Sequence, residues 1–411
     1  MNTALYIAQK MRQHKQPKDK VSSRIINIAT VAVAIGIAAI LISMAFSIGL
    51  QNEIRNKTSI FNGQILITTF ENNESQVSLT PFEDSEELRN QIKYHPSFKR
   101  SHGVALKAGM LKTSNDFEGI LLKGVSNEFD WNSLNIFLTQ GSVPNFKENI
   151  NNDILISETI ADRLNLIVGD KVDAFFQSTQ NDGFPKRRKF KIVGTYFSGF
   201  PDIDKNLVYC DIRQVQMLNQ WKSNQIGGYE VFVNSFNQVS QIADELYEGL
   251  PSELNSIAIS DRFISVFQWI SLFDFNVLII LVIMVLVGVI NMATALLVMI
   301  LERSRMIGLL KALGATPFMI QKIFIYNGIA IMTKGLFFGN LFGLLFYFFQ
   351  FKYGWITLDP KTYFVSIAPV SIGWFEILYL NLIFLFFATI LLWIPSKIVM
   401  RFSPSQVLRF R

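Results

Sequence analysis

Cysteine, histidine and charge are all scarce in this 411-residue chain, and each shortage removes a class of chemistry. The one cysteine, Cys210, excludes an intrachain disulfide, so any globular part must be held by its own core, with a buried structural thiol expected there. The three histidines, His14, His95 and His102, stand in unrelated contexts, none arranged with carboxylates or cysteine at metal-ligand spacing. No Gly-x-x-x-x-Gly-Lys-Ser/Thr phosphate loop occurs, which removes that route to ATP. No catalytic constellation is visible, so the chain is not expected to be an enzyme or to hold a metal or cofactor of its own. Whatever work it does must be driven from outside.

Apolar residues are what it has in excess. Hydrophobic residues make up 50% of the chain and aromatics 13%, with 37 Phe, more than a soluble domain of this size carries. They collect in four blocks, 25–50, 272–301, 323–351 and 374–394, each long enough to cross a bilayer whose hydrocarbon core is about 30 Å thick. The expected fold is therefore an α-helical membrane protein with four transmembrane helices and a large mixed α/β extracytoplasmic domain, residues 51–271, between helices 1 and 2. A signal peptide cleaved near Ser43-Met-Ala45 is the competing reading of the first block; its long basic flank and long apolar run favour an uncleaved anchor.

Charge sets the orientation. Segments 1–24, 302–322 and 395–411 together hold 14 Lys plus Arg and two acids, whereas 51–271 holds 21 basic and 27 acidic residues. By the positive-inside rule both termini and the 302–322 turn are expected in the cytoplasm, with 51–271 on the far side and 352–373 a short external loop. The net charge of +6 thus reports topology and gives no reason to expect nucleic acid.

Within 51–271 the alternation of apolar residues predicts strands at 63–69, 118–124, 154–157, 171–176, 190–197 and 228–234. A helix is expected over 158–166, capped by Ser157 and ended by Gly169-Asp170, and another over 238–250 with Val239, Ile242, Ala243 and Leu246 inward. Residues 177–185 form the polar tip of a hairpin. There Phe184 and Pro185, flanked by Lys186, Arg187, Arg188 and Lys189, could dock a partner, although the residues by themselves favour a solvated hairpin with an ordinary charged flank. From 260 to 275 the chain turns aromatic, and this stretch is expected to continue the second span so that domain and helix move as one lever.

The segment 302–317 is a short charged amphipathic stretch wedged between two spans. On a helix beginning near Glu302, residues Met306, Leu309, Leu310 and Leu313 share one face while Arg303, Arg305 and Lys311 project elsewhere. Gly314 can stop it, and Thr316-Pro317 can cap the next helix. An amphipathic helix lying on the membrane surface would look the same. In the third span Gly335, Gly339 and Gly343 form a ladder that lets a neighbouring backbone approach closely. Lys334 beside them either snorkels, bonds a helix neighbour such as Asn291, or serves transport.

These residues resemble a known family. Asn291, Glu302-Arg303, Ile307-Gly308, the run Leu310-Lys-Ala-Leu-Gly-Ala315, Gly335 and Gly339 are similar to the FtsX-like domain of bacterial ABC-transporter permeases. The likeness extends to Ile7-Ala8, Lys191-Ile-Val-Gly194 and Pro404-Ser-Gln-Val-Leu408, over the whole chain. Tyr363-Phe-Val365, Pro369-Val370, Trp374 and the Pro395-Ser396 exit resemble the lipoprotein-releasing LolC/LolE group.

The resemblance implies an inner-membrane permease subunit, paired with a second permease in a homo- or heterodimer and with a LolD-type cytoplasmic ATPase that binds the ATP and Mg. The ATPase cleft would receive the helix carrying Glu302, Arg303, Met306, Ile307, Gly308, Leu310, Lys311, Leu313 and Gly314. Lipoproteins would be lifted from the membrane and passed to a LolA-type periplasmic carrier, which the hairpin at Phe184, Pro185, Lys186, Arg187 and Arg188 would catch. Phe46, Phe267, Trp269 and Phe273 are the candidates for a lateral cavity sheltering the acyl chains. Two rivals remain open at this point: an FtsX-like permease that signals to an extracytoplasmic enzyme, and a MacB-like export permease, for which the fused ATPase and long helical arms are lacking.

Overall fold

The computed structural model describes residues 3–13, 20–73, 75–146, 150–177 and 185–397. The chain divides into a helical unit, Met1–Gln51 with Trp269–Thr357 and Ile367–Arg411, and an α/β unit, Asn52–Gln268 with Leu358–Ser366.

Among the described residues, four helices are long and apolar enough to cross a membrane by length and composition: Lys20–Asn62, Ile264–Glu302, Pro317–Tyr353 and Trp374–Ser396. They are called here the first to fourth membrane helices. The first has 43 residues, roughly 65 Å at 1.5 Å per residue, twice what the hydrocarbon requires. It outruns the expected 25–50 because its polar continuation keeps a helical apolar stripe: Ile54, Thr58 and Phe61 are all buried. The second likewise starts early, at Ile264, in the aromatic stretch expected to extend it.

The helical unit packs around Ile37, Ile40 and Leu41 of the first helix, Met292 and Leu296 of the second, Phe324 of the third and Phe384 and Leu392 of the fourth. The glycine ladder lies against the first helix. A Cβ on Gly335 would come within 2.6 Å of Val33, and one on Gly339 within 2.7 Å of the Ala34 carbonyl and of Ile37, so only glycine admits this approach. Asn340 and Asn381 exchange amide hydrogen bonds of 2.7 and 3.1 Å between the third and fourth helices. Lys334 is exposed.

In the α/β unit the strands are β1 (Ile65–Thr69), β2 (Phe82–Glu83), β3 (Phe98–Lys112), β4 (Phe117–Val125), β5 (Leu138–Gly141), β6 (Asp153–Ser157), β7 (Lys171–Phe176), β8 (Lys186–Tyr196), β9 (Leu207–Asp211), β10 (Gln225–Ile226), β11 (Gly228–Val233) and β12 (Leu254–Ala258). Ten of them make one sheet in the order β12-β1-β11-β3-β4-β9-β6-β8-β5, with β7 bridging β3 and β8, while β2 and β10 pair separately. The pairs β3·β4, β4·β9, β9·β6, β6·β8, β8·β7 and β7·β3 return on themselves, so part of the sheet closes into a ring and removes its own edges. β1 follows the first membrane helix, β12 precedes the second, and the two pair antiparallel from Ile65↔Ala258 to Thr69↔Leu254.

The helix Val239–Gly249 buries Val239, Ile242, Ala243 and Leu246 as its periodicity requires. The helix after β6 is Glu158–Leu164, capped by the Ser157 hydroxyl, and it stops before Gly169 because Asn165 takes the left-handed conformation at φ 51°. Cys210 is buried in the core, where burial pushes its thiol well up.

Two of the histidines pair with carboxylates. His95 Nε2 lies 2.9 Å from Glu245 and His102 Nε2 lies 3.0 Å from Glu230, pairs separated by 150 and 128 residues that no local spacing could reveal. Among the described residues no group of three or more His, Cys, Asp or Glu is arranged to hold a metal.

Substituting Gly339 by Leu should lower the melting temperature of the detergent-solubilised protein by several degrees, an overpacking cost of about 1–3 kcal/mol. Gly119→Ala, where a Cβ meets nothing within 4 Å, should leave it unchanged in the same fluorescence-detected thermal scan. Equal melting of both variants would contradict the packing described.

Candidate functional site

The turn between the second and third membrane helices is built in three steps. The second helix ends at Glu302, Arg303 interrupts it with non-helical backbone, and a short helix runs Ser304–Ala312. Leu313 ends that helix, Gly314 supplies a turn at φ +88°, and the Ala315 amide returns to the Leu310 carbonyl at 2.9 Å. Thr316 then caps the third helix, its hydroxyl accepting from the Met319 amide at 3.2 Å with Pro317 in the first turn. The break falls at Arg303, so Glu302 belongs to the membrane helix and the short helix is tied to both spans by tight corners.

Which side of the short helix is inward differs from its apolar stripe. Ile307 and Gly308 are buried, and Met306, Leu310 and Lys311 are half-buried. Leu310 packs with Ala4, Ala8 and Ile323, because the helix Thr3–Gln13 lies along the third membrane helix. Leu309 and Leu313 point out, 56% and 76% exposed, and Phe318 is 54% exposed. Two leucines four residues apart are thus left outside an otherwise packed corner.

Deeper in the helical unit, an apolar groove of about 480 Å³ opens between the first, second and fourth helices. Met44, Val277, Leu281, Val285, Leu380 and Phe387 line it. Asp274 is the one acid on its wall among the described residues, and Gln51 Nε2 donates to its Oδ1 at 2.7 Å. The four aromatics expected to form a cavity do not line this groove. Phe46 meets Phe346 edge-on at 6.1 Å, Trp269 meets Phe273 at 5.2 Å, and Phe267 stacks on Phe236 at 5.8 Å in the α/β unit. The groove's wall combines aliphatic residues with Tyr379 and Phe387, and Asp274, an acid inside an apolar run, is its mark in the sequence.

The hairpin of β7 and β8 pairs Phe176 with Lys186, Phe175 with Arg187 and Ala174 with Arg188. Lys186, Arg187 and Arg188 are thus strand residues rather than a loop flank, and Pro185 is exposed where β8 begins; Phe184 lies outside the described residues. Lys186 donates to the Leu218 carbonyl at 3.0 Å. Arg187 binds Asp173 at 2.7 Å and holds that carboxyl below its usual range. A polar cleft of about 510 Å³ runs beside these strands, lined by Lys112, Lys171, Asp173 and Arg187 among others.

The profile described as FtsX-like permease C-terminal matches residues 278–404, and that described as MacB-like periplasmic core domain matches 28–247. The lipoprotein-releasing system transmembrane protein LolE of Haemophilus influenzae is 19% identical over 424 residues, covering 99% of both chains. LolC of Neisseria meningitidis is 21% identical and covers 93% of both. Among solved structures, the periplasmic region of MacB from Actinobacillus actinomycetemcomitans covers 50% of this chain and 92% of its own at 14% identity, with a TM-score of 0.34. The extracellular domain of YknZ from Gram-positive bacteria covers 48% and 100% at 16% identity and a TM-score of 0.32.

The exposure pattern of the short helix is directly measurable. In the solubilised permease without partners, Leu313→Cys should react rapidly with a maleimide and Ile307→Cys slowly, against a low background because the native Cys210 is buried. Comparable rates at 307 and 313 would contradict the described orientation.

Proposed function

Because this chain belongs to the FtsX-like permease family, with a MacB-like periplasmic core domain, we propose that it is the membrane subunit of an ATP-driven transporter that extracts lipoproteins from the bacterial inner membrane. The observation that carries the proposal is the pair of outward leucines, Leu309 on a short helix clamped between two membrane helices and Leu313 at its end. A chain with no phosphate loop needs an external motor, and this is where one can grip. Full-length similarity to LolE and LolC supports lipoproteins as the cargo.

In this reading a LolD-type ATPase holds the ATP and Mg and receives the 302–314 segment in the cytoplasm, where both termini also lie. A second permease subunit completes the transporter, and a LolA-type carrier takes the lipoprotein from the periplasmic domain, with the β7–β8 hairpin as its landing point. Handoff is required on energetic grounds. Three acyl chains of about fifteen methylenes each, at about 0.8 kcal/mol per buried CH₂, would cost on the order of 36 kcal/mol to expose to water. The apolar groove at Met44, Leu281 and Leu380 would shelter part of that surface.

Depleting this permease should cause outer-membrane lipoproteins to accumulate in the inner membrane, as seen by fractionation and immunoblotting. Leu309→Asp or Leu313→Asp should reproduce the defect and abolish co-purification of the ATPase while leaving the permease in the membrane. Normal lipoprotein sorting after depletion would end the lipoprotein reading; a retained ATPase in both variants would end the docking assignment.

A further inference from the structure

Three elements of the α/β unit converge on one buried carboxylate. Glu230 of β11 accepts from Lys123 Nζ of β4 at 2.6 Å on Oε1, and its Oε2 lies 3.0 Å from Nε2 of His102, its register partner on β3. All three side chains are at most 4% exposed. Lys123 spends a second hydrogen bond, 2.7 Å, on the carbonyl of Phe61 in the last turn of the first membrane helix. That carbonyl is one of the acceptors a helix leaves unsatisfied at its C-terminus, where a cation is also favoured by the helix dipole.

The same carboxylate reaches the other stalk. Arg262, which immediately precedes Phe263 and the second membrane helix, interacts electrostatically with Glu230. The Ile259 amide donates to the Gln64 carbonyl at 2.9 Å, and β1 and β12 pair beside β11. Gly63, at φ +73°, lets the chain leaving the first helix pass Glu230, because a Cβ there would stand 2.8 Å from its Cβ.

Charge accounting makes this a pair that must remain closed. Burial alone would raise Glu230, but Lys123 and His102 overcome it and hold the carboxyl at about 2. Burial lowers His102; its Nε2 donates to the acceptor-only carboxylate, and its buried Nδ1 has no hydrogen-bond partner among the described residues. Opening the Lys123–Glu230 contact would strand two charges without water and release the Phe61 carbonyl, which is why such a pair resists partial separation.

We propose that Glu230, with Lys123, is a positioning joint that fastens the outer end of the first membrane helix and the lead-in to the second onto one strand, so that displacement of either helix end carries the α/β unit with it. This rests on the reading of the chain as an ATP-driven permease, since only then is there displacement to deliver. A buried ion pair contributes little net stability relative to well-packed apolar residues of similar size, so its replacement separates positioning from folding.

The test uses the whole permease–ATPase complex in lipid nanodiscs, comparing wild type, Glu230→Gln and the double variant Lys123→Met/Glu230→Leu. Spin labels are placed at Asn52→Cys on the first helix and at the exposed Tyr94→Cys, and their distance distribution is read together with thermal unfolding, ATP hydrolysis and lipoprotein transfer. The expected result is a double variant that melts like wild type and hydrolyses ATP normally, with a broadened 52–94 distance and transfer reduced about tenfold. Glu230→Gln, which leaves Lys123 facing a neutral amide, should broaden the same distance even if it melts earlier. A distance as narrow as wild type in the double variant, or transfer at the wild-type rate, overturns the joint. If no form transfers lipoprotein but the double variant still broadens the distance, the joint stands and the lipoprotein reading falls.

Discussion

The antiparallel register from Ile65↔Ala258 to Thr69↔Leu254 decides how this molecule is built, because it brings a long insertion back to the point from which it left. A bilayer offers no water to backbone amides, so the chain can cross only as helices, and everything irregular must lie outside. Pairing the strand that follows the first membrane helix with the strand that precedes the second ties both connections into one sheet. β11 lies beside β1 and brings Glu230 to the spot where the helix end, Lys123 and His102 meet. The ring of six strands beyond it can then be elaborated without exposing new edges.

At the other end of the spans, tight corners do comparable work. Arg303, Gly314 and Thr316-Pro317 leave the nine-residue helix Ser304–Ala312 no slack relative to its flanking helices, and Ile307 and Gly308 seat it against them. A push on Leu309 and Leu313 would therefore reach the second and third membrane helices with little loss in loop bending. The glycine ladder brings the third helix into backbone contact with the first, so the spans are coupled sideways by packing that a single methyl group would disturb.

What could be read from the residues follows from the range of the signals. Four apolar blocks, the inward face of Val239–Gly249, the Ser157 and Thr316 caps and the strand of Lys171–Phe176 are local patterns, and all are found in place. β3, the longest strand, went unread because Lys, Arg, His and two glycines break its alternation; it pairs with three different strands and is covered differently along its length. The Lys123–Glu230–His102 cluster joins residues far apart in the chain, where no periodicity operates. The stripe Met306, Leu309, Leu310, Leu313 was visible, but which part of it faces inward depended on Ala4, Ala8 and Ile323, packing partners that a helix viewed in isolation does not reveal. The groove is hidden for a related reason: apolar wall residues on three helices look, one by one, like lipid-facing residues.

The account stands or falls on whether the force taken up at the short helix empties a lipid-bearing groove in the same chain. A photoactivatable amino acid at Leu281, on the groove wall, tests this directly in the assembled transporter loaded with triacylated lipoprotein. The account predicts a lipoprotein crosslink that disappears when ATP and a soluble carrier are added together and persists with a non-hydrolysable analogue. A crosslink to bulk phospholipid alone, or one to lipoprotein that is indifferent to nucleotide, would contradict it.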